Sequence, residues 1–291
     1  MAARVLVTGG CGFLGQAFAR RARAAGHRVV TLDCDAAADA IADIADASAV
    51  ADALARAKPD AVVHLAARLT DAGERDPLDA VRVNALGTAA VFAAAEAAAV
   101  SRVVYASSNA AVGVCAEACG DAVALQPQSL YGVTKAFGEH LARSMSRRSG
   151  APSYLALRFG WIYGPGRARG WSEPQRIIED AIAGRTPLRY PDYPEPIDWT
   201  YVDDAAEVLA RAVDCPLDGY AAHNAVGDRR RIADAAAHLR ARFPHLVLEP
   251  RAAAMPPSAW QLMNDGLAAR IGAWPVTRLE DGIDRMIEEA S

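Results

Sequence analysis

Tyr131 and Lys135, four residues apart, are the side chains best suited to acid/base chemistry in this sequence. On a helix this spacing places both side chains on one face. A free phenol has a pKa of about 10 and is a poor base at neutral pH, but a nearby ammonium lowers that pKa by stabilising the phenolate. The spacing therefore predicts that Lys135 lowers the pKa of Tyr131 and that Tyr131 exchanges a proton with a substrate hydroxyl.

A second hydroxyl, that of Ser108, follows a segment that we predict to be a strand, residues 102–106. The carboxyl ends of strands in α/β sheets are where ligands bind, and a hydrogen-bond donor there stabilises charge on a reacting oxygen. We therefore assign Ser108 the role of polarising that oxygen. A serine pair in a turn and a Tyr/Lys pair on a helix are each commonly structural when they occur alone, so the assignment depends on the cofactor motif.

That motif is Thr-Gly-Gly-Cys-Gly-Phe-Leu-Gly at residues 8–15, with glycines at Gly9, Gly12 and Gly15. Glycine lets the backbone turn sharply and approach a pyrophosphate, whose charge the following helix N-terminus stabilises. Asp33 lies 18 residues after Gly15, where a carboxylate reaches the ribose hydroxyls of adenosine and repels a 2′-phosphate. The glycines and Asp33 together predict NAD as the cofactor, and Lys135 is expected to bind the nicotinamide ribose. The alternative for the glycines is a surface loop, and the alternative for Asp33 is the capping of a turn.

Two further acids, Asp43 and Asp46, flank Ile44 after the second predicted strand. A side-chain contact from this pair and the apolar wall of Ile44 could seat the adenine. Solvated loop acids are the alternative explanation.

Short apolar runs alternate with longer Ala-rich segments, which is typical of a doubly wound parallel sheet, a Rossmann-type α/β fold. Ser48 is a plausible N-cap, and Lys58-Pro59 a plausible end, for the second helix. We predict strands at 4–8, 29–33, 61–65, 102–106 and 154–159, and helices at 14–25, 48–57, 79–98 and 131–148.

The pattern loosens and proline becomes frequent after about Gly164. We predict a NAD-binding domain over residues 1–163, with a return segment near 197–215 that contains a strand at 200–202 and a helix at 203–213. Residues 164–196 and 216–291 are predicted to form mainly a smaller, C-terminal substrate-binding region.

Composition sets broad limits on function. The net charge of −4 gives no field that would attract nucleic acid or an anionic membrane, so a small neutral or anionic ligand fits better. The N-terminus runs directly into a predicted strand, without room for a signal peptide, and the Ala-rich run 85–100 is too short to span a bilayer. A cytoplasmic protein is expected.

The five cysteines are odd in number and scattered, which argues against a disulfide framework. Cys115 and Cys119 allow a redox or metal site as an alternative, but no second pair or nearby histidine completes one. We expect separate thiols and no metal.

The chain resembles the extended short-chain dehydrogenase/reductases, the NAD-dependent epimerase/dehydratase family, over nearly its whole length. The motifs that carry the resemblance occur in order along the sequence. They are residues 8–15, Asp43-Ile44, His64-Leu65-Ala66-Ala67, Asp76-Pro77, Asn84 with Gly87-Thr88, Ser107-Ser108, Tyr131 with Lys135, Arg158 with Tyr163-Gly164-Pro165-Gly166, and Tyr201-Val202-Asp203-Asp204.

The resemblance implies a Ser108-Tyr131-Lys135 triad supported by Asn84, and a homodimer built on the helices that follow Asp79 and Tyr131. It also implies a set of ligand contacts. For the cofactor these are Gly9, Gly12, Phe13, Leu14, Gly15, Asp33, Asp43, Ile44, Leu65, Ala66, Ala67, Tyr131 and Lys135, and for the substrate Arg68, Ser108, Asn109, Trp161 and Arg167.

Departures from the family pattern bear on the substrate. Members that act on sugar nucleotides commonly have Asn at the position of Trp161 and Arg at that of Ile197, so two contacts to a diphosphate are missing here. Loop arginines, which are often merely solvated, could compensate. The candidates are Arg167, Arg169 and Arg189.

The residues after Ser108 also depart from one branch of the family. Dehydratases follow the catalytic hydroxyl with an acidic pair, whereas this chain has Asn109-Ala110 and so lacks an acid and a base for elimination. The apolar continuation to Val112-Gly113 is similar to uronate and aldonate dehydrogenases.

Three hypotheses follow. The leading one is NAD-linked hydride transfer at a secondary alcohol or ketone of a sugar-like or other polyhydroxylated small molecule. The second is a nucleotide-sugar 4-epimerase with tightly bound NAD. The third is a non-catalytic dinucleotide-binding module, against which the Ser108, Tyr131 and Lys135 set argues.

Overall fold

A computed structural model describes residues 2–168 and 173–290 of the 291-residue chain. It contains the following strands and helices in chain order. The strands are β1 Arg4–Thr8, β2 Arg28–Asp33, β3 Ala40–Ile41, β4 Ala61–His64, β5 Arg102–Ser108, β6 Ser153–Phe159, β7 Trp161–Tyr163, β8 Leu188–Asp192, β9 Ile197–Tyr201, β10 Tyr220–Ala225, β11 Asp228–Arg230 and β12 Leu248–Ala252. The helices are α1 Phe13–Ala24, α2 Ala47–Ala57, α3 Thr70–Arg75, α4 Pro77–Val81, a π-helix Arg82–Gly87, α5 Thr88–Ala97, α6 Asn109–Val112, α7 Leu130–Met145, α8 Glu173–Ile182, α9 Val202–Asp214, α10 Ile232–Arg242, α11 Leu267–Ile271 and α12 Leu279–Ala290.

Seven parallel strands form the central sheet in the order β10-β6-β5-β4-β1-β2-β3. Side chains alternate between its faces, so Val5 and Val7 pack with Phe18 of α1 and Leu209 of α9. Leu6, between the two valines, packs on the other face with α2 and α5. The doubly wound Rossmann-type fold predicted from the alternating pattern is confirmed.

A smaller region extends past the carboxyl ends of these strands. It contains a three-stranded sheet, β11-β9-β7, and a two-stranded sheet, β12-β8, packed with α8, α10 and α12. Four rings of β7 and β9 form its aromatic centre, with Trp161 stacked on Tyr163 and edge-on to Trp199. Tyr201 is edge-on to Tyr163.

The predicted strands and helices occur within a few residues of their expected ends, with two differences. The cap of α2 is Asp46, whose carboxylate accepts the N–H groups of Ser48 and Ala49, so Ser48 as the N-cap was wrong. The seventh strand of the central sheet, β10, comes from residues 220–225, inside a range that the sequence assigned mainly to the substrate-binding region. The proline-poor run 220–225 carries no apolar signal strong enough to identify it as a buried strand.

The helical run Pro77–Ala97 joins α4, the π-helix and α5 without a break. It is 21 residues long with a mean hydropathy of 1.3, which is long and apolar enough to cross a membrane by length and composition alone. Half of its most apolar window is buried inside the protein. The sequence analysis considered only the shorter run 85–100 as a possible membrane span.

Cys115 and Cys119 are joined by a disulfide, whereas separate thiols had been expected. Both lie in the loop between α6 and α7, which brings residues four apart in sequence together. Cys11, Cys34 and Cys215 are free thiols. Within residues 2–168 and 173–290, no three His, Cys, Asp or Glu side chains are grouped to hold a metal ion.

Candidate active site

The glycine-rich turn joins β1 to α1 and is built for close backbone packing. Gly9 has φ +71°, and a Cβ on Gly15 would lie 2.1 Å from the Gly9 carbonyl oxygen, so neither position accepts a larger residue. Gly12 is the N-cap of α1 and makes no side-chain cap bond, which leaves the first N–H groups of α1 directed toward an incoming anion. Phe13 and Leu14 are the first residues of that helix. The turn therefore fits the pyrophosphate of a dinucleotide.

Asp33 ends β2 beside this turn. One carboxylate oxygen accepts the Cys11 N–H at 3.0 Å, and the other accepts the Asp35 N–H at 3.3 Å. The Cys34 thiol donates to the same carboxylate at 3.5 Å. This arrangement fixes a carboxylate at the end of the turn, the place where adenosine ribose hydroxyls would be held.

Asp43 and Ile44 lie on the loop that follows β3. Burial alone would raise the pKa of Asp43, but bonds from the Ala45 N–H and the Arg82 guanidinium hold that pKa below its usual value. Ile44 is 4% exposed and packs so closely on Gly87 that a Cβ there would be 2.8 Å from its side chain. Asp43 and Ile44, two of the predicted adenine contacts, are thus held by neighbouring residues, whereas Asp46 caps α2.

The loop after β4 carries Leu65, Ala66 and Ala67 alongside the glycine-rich turn. A Cβ on Gly9 would lie 2.8 Å from the Ala66 nitrogen, so the two loops touch through backbone atoms. Arg68 bonds Asp79 through Nε at 2.6 Å, and its predicted contact with substrate stays a prediction.

Ser108, Tyr131 and Lys135 meet where β5 ends and α7 begins. The Ser108 hydroxyl donates to Asn109 Oδ1 at 3.1 Å and accepts the Ala110 N–H at the start of α6, and it also acts on the pKa of the Tyr131 phenol. Lys135 is 3% exposed, and its Nζ donates to the Ala106 carbonyl oxygen at 2.7 Å. The ammonium lies 5.6 Å from the centre of the Tyr131 ring. The predicted triad is therefore brought together.

The pKa values of this group differ from the expected ones. Burial raises the pKa of Tyr131 to about 12, against opposing effects of the Arg167 charge and the Ser108 bond. Burial also lowers the pKa of Lys135 to about 7. In the protein by itself, desolvation of the phenol outweighs nearby positive charge, so the pKa of Tyr131 rises. The lowering of this pKa by Lys135 stays a prediction.

Asn84 lies in the π-helix and makes hydrogen bonds to two other elements. Its amide accepts the Arg68 N–H at 2.6 Å and donates to the Arg68 carbonyl oxygen at 2.9 Å. It also donates to the Thr134 hydroxyl, between Tyr131 and Lys135 on α7, at 3.1 Å. Asn84 thus joins the loop after β4 to the helix of the triad, and its predicted catalytic role stays a prediction.

Three of the remaining predicted substrate contacts are Asn109, Trp161 and Arg167, and two further arginines were named as candidates. Asn109 is 6% exposed and donates to the Ala259 carbonyl oxygen. Trp161 is 5% exposed, and the Arg167 guanidinium lies 5.3 Å above its ring. Arg167 also donates to the Ile162 carbonyl oxygen, and burial lowers its pKa to about 10. Arg169 lies outside the described residues, and Arg189 is exposed and paired with Glu249.

Sequence reasoning missed the buried ion pair of Glu139 and Arg158, which supports the site. Glu139 lies one helical turn after Lys135, and Arg158 donates to it through Nε and a terminal nitrogen at 2.9 and 2.7 Å. Ser107, next to Ser108, donates to the same carboxylate at 2.6 Å. The helical spacing of Tyr131, Lys135 and Glu139 was the signal that could have identified it.

Comparisons with known proteins agree with this geometry. Residues 5–225 match the NAD-dependent epimerase/dehydratase family. A UDP-glucose 4-epimerase of Mycolicibacterium smegmatis is 32% identical over 230 residues, 72% of each chain. A 2-alkyl-3-oxoalkanoate reductase of Stenotrophomonas maltophilia is 31% identical over 98% of this chain and 88% of the reductase. The structure of the Thermus thermophilus UDP-glucose 4-epimerase in complex with NAD is similar with a TM-score of 0.85 and 25% identity, over 99% of this chain and 98% of that one.

Proposed function

Since the chain belongs to the NAD-dependent epimerase/dehydratase family, we propose that it is an NAD-dependent oxidoreductase acting on a sugar-like or other polyhydroxylated small molecule. The reaction is hydride transfer at a secondary alcohol or ketone. The observation that carries this proposal is the meeting of Ser108, Tyr131 and buried Lys135 beside the glycine-rich turn. A non-catalytic dinucleotide-binding module would have no use for that group.

The residues of the chain divide the work as follows. Ser108 turns its proton from Asn109 to the reacting oxygen, and Tyr131, once it has lost its own proton, takes the proton of the substrate hydroxyl. Bound NAD supplies the nicotinamide ring that accepts or returns the hydride. The Arg167 charge favours the Tyr131 phenolate, and Lys135 keeps a second positive charge in the site while it is protonated. In the reverse direction Tyr131 returns the proton.

Arg167 and Trp161 are the proposed substrate contacts on the side of the smaller region. The guanidinium is held over the indole ring, so its position is fixed before a ligand arrives. A fixed guanidinium suits a carboxylate or several hydroxyl oxygens. We propose that residues 1–163 and the return segment near 197–215 mainly bind the cofactor, and that residues 164–196 and 216–291 mainly bind substrate. The fold departs from this division in that β10 completes the central sheet, while β7 and β9 belong to the sheet of the smaller region. A cytoplasmic enzyme that draws on dissolved NAD is compatible with this scheme.

Replacement of Tyr131 by phenylalanine tests the proposal. Tyr131→Phe should lower kcat at least a hundredfold, because it removes the acid/base, and leave NAD affinity within about twofold. Tyr154→Phe is the matched control, since the Tyr154 hydroxyl is buried without a hydrogen-bond partner among the described residues and lies away from the site. NADH formation with sugars, sugar acids and nucleotide sugars gives the activity, and fluorescence titration gives the affinity. Equal turnover in Tyr131→Phe and wild type would overturn the assignment.

A second candidate function, a nucleotide-sugar 4-epimerase, is favoured by the similarity of the chain to the UDP-glucose 4-epimerases of Mycolicibacterium smegmatis and Thermus thermophilus. Purified protein that retains one NAD per chain and interconverts UDP-sugars without net NADH formation would favour this candidate over the first.

We also propose a homodimer through an apolar helical patch, which consists of Leu78, Val81, Leu86, Val133 and Phe137. Their exposures range from 83% for Leu78 to 41% for Phe137. The first three lie on the run Pro77–Ala97 and the others on α7, against which α4 packs, so they share one surface. Contiguous exposed apolar side chains mark protein–protein interfaces, and two copies of this surface would form a bundle of four helices.

A further inference from the structure

A buried chain of hydrogen bonds crosses the protein beneath the candidate site, through His64. Its Nδ1 lies 2.6 Å from the Thr8 hydroxyl, at the end of β1, and its Nε2 lies 2.9 Å from the Thr88 hydroxyl, at the start of α5. Thr88 in turn donates to the Asn84 carbonyl oxygen at 2.6 Å. His64 is 1% exposed, Thr8 0% and Thr88 1%, so water does not compete for these bonds.

The short bond from Thr88 to the Asn84 carbonyl oxygen is the basis for assigning the other protons of the chain. The single proton of the Thr88 hydroxyl is used on the Asn84 carbonyl, so Thr88 must accept from His64, and Nε2 must carry a hydrogen. Thr8 accepts the Ala66 N–H at 3.3 Å and has its own proton free for Nδ1. The opposite neutral tautomer would leave Nε2 and the Thr88 oxygen 2.9 Å apart with no hydrogen between them. One neutral tautomer of His64 therefore satisfies all the groups.

The two ends of this chain are the two halves of the site. Thr8 belongs to the strand that leads into the glycine-rich turn, and Ala66 to the loop that touches it. At the other end, the Asn84 side chain holds Arg68 and Thr134, and Thr134 lies on α7 between Tyr131 and Lys135. We infer that His64, held as the Nε2–H tautomer between Thr8 and Thr88, is a positioning residue that fixes Asn84 and thereby aligns the helix of Tyr131 and Lys135 with the glycine-rich turn.

The surroundings of His64 keep it neutral. Its ring stacks on Tyr105 at 5.7 Å and meets Phe92 edge-on at 6.0 Å, so the imidazole is enclosed by aromatic side chains. Burial and the charge of Lys135 lower the pKa of His64 to about 3. A neutral imidazole adds hydrogen bonds without adding a cation that would oppose protonation of Lys135. The ring of His64 therefore stays neutral at pH 5 and above.

Variants of Thr88 test the inference, whose catalytic part rests on the proposed function. Thr88→Val keeps the shape of the side chain and breaks the chain, so kcat should fall about tenfold with NAD affinity within twofold, whereas Thr88→Ser should restore kcat to within about twofold of wild type. Thr200→Val is the matched control, since the Thr200 hydroxyl is also buried and makes no hydrogen bond among the described residues. If Thr88→Val and Thr200→Val lower kcat equally, or Thr88→Ser does not restore it, the inference is wrong.

A second measurement needs no turnover and so separates this inference from the proposed function. Histidine-selective 15N labelling of the full chain, without added cofactor, should show one imidazole that stays in the neutral Nε2–H form from pH 5 to 8. Its signal is identified by its loss in His64→Gln, or by its shift in Thr88→Val if His64→Gln does not fold. A His64 signal that titrates in this range, or that reports hydrogen on Nδ1, would overturn the inference even in a fully active enzyme.

Discussion

At the scale of single residues, Asp198 on β9 combines complete burial with a lack of partners. Its exposure is 0%, and neither carboxylate oxygen has a hydrogen-bond partner among the described residues. Gly160 packs directly on it, since a Cβ there would lie 2.6 Å from that of Asp198. Burial raises its pKa to about 7, and the charge of Arg229 opposes this only in part. A carboxyl in this position favours its protonated form.

This pKa gives stability a definite dependence on pH. The unfolded chain releases the Asp198 proton near the ordinary aspartate pKa of 3.8, while the folded protein retains it up to about pH 7. Between these pH values the folded state therefore binds more protons than the unfolded state. The stability that protonated Asp198 contributes falls as pH rises from about 4 to about 7 and stays lost above that range. The loss is on the order of 4 kcal/mol at most. Asp198→Asn should raise the free energy of unfolding at pH 8 relative to wild type, with a much smaller difference at pH 4.

Urea unfolding at pH 4, 6 and 8 measures this effect, and Asp192→Asn at the exposed end of β8 is the control. A gain of the same size at all three pH values would contradict the pKa given for Asp198.

Residue types and spacing were enough to predict the triad and the glycine-rich turn, but not the pKa of Tyr131. The sequence shows that Lys135 shares a helical face with Tyr131, and it does not show how far the phenol is withdrawn from water. Likewise, Asn84 was predicted to be a site residue, but its hydrogen bonds to Arg68 and Thr134 depend on a π-helix that no residue pattern in the sequence predicts.

At the scale of elements, α7 is held against the sheet by the buried pair of Glu139 and Arg158. The side chains are 1% and 2% exposed, and Tyr220 of β10 adds a further bond to the carboxylate at 3.2 Å. Because Glu139 lies on the face of α7 that also carries Lys135, this pair sets the rotation of the helix about its axis. The triad depends on that rotation.

Glu139→Ala should lower the free energy of unfolding by about 3–5 kcal/mol, because it leaves the Arg158 guanidinium buried without its carboxylate. The control is Glu96→Ala, which removes the partner of the largely exposed Arg148 and should cost less than about 1 kcal/mol. Chemical denaturation of both variants at neutral pH gives the comparison. Similar losses in the two variants would show that burial does not govern the strength of the pair.

At the scale of the whole molecule, the helical patch predicts the state of association. Phe137→Glu together with Leu78→Glu places charges in the proposed interface and should convert the dimer to a monomer, because two like charges would face each other across the two-fold axis. Val247→Glu, at an exposed apolar residue outside the patch, should leave the dimer intact. Sedimentation velocity over a range of concentrations measures the effect. A wild-type chain that sediments as a monomer at all concentrations would refute the proposed dimer.

The contribution of residues 220–225 to the central sheet was the least predictable property of the whole chain. A return segment near 197–215 with a helix at 203–213 was expected, and α9 lies there and packs on α1. The return of β10 was not expected, since its sequence Tyr-Ala-Ala-His-Asn-Ala lacks the continuous apolar run from which the other strands of the sheet were predicted. Only its pairing with β6, far away in sequence, makes it part of the sheet.

That late strand has a consequence for synthesis of the chain on the ribosome. Until residue 225 has emerged from the exit tunnel, β6 ends the nascent sheet with one row of amide and carbonyl groups open to any extended segment nearby. More than three quarters of the polypeptide must therefore be translated before this edge can be paired, and a nascent chain that stalls earlier is exposed to chaperones and to aggregation.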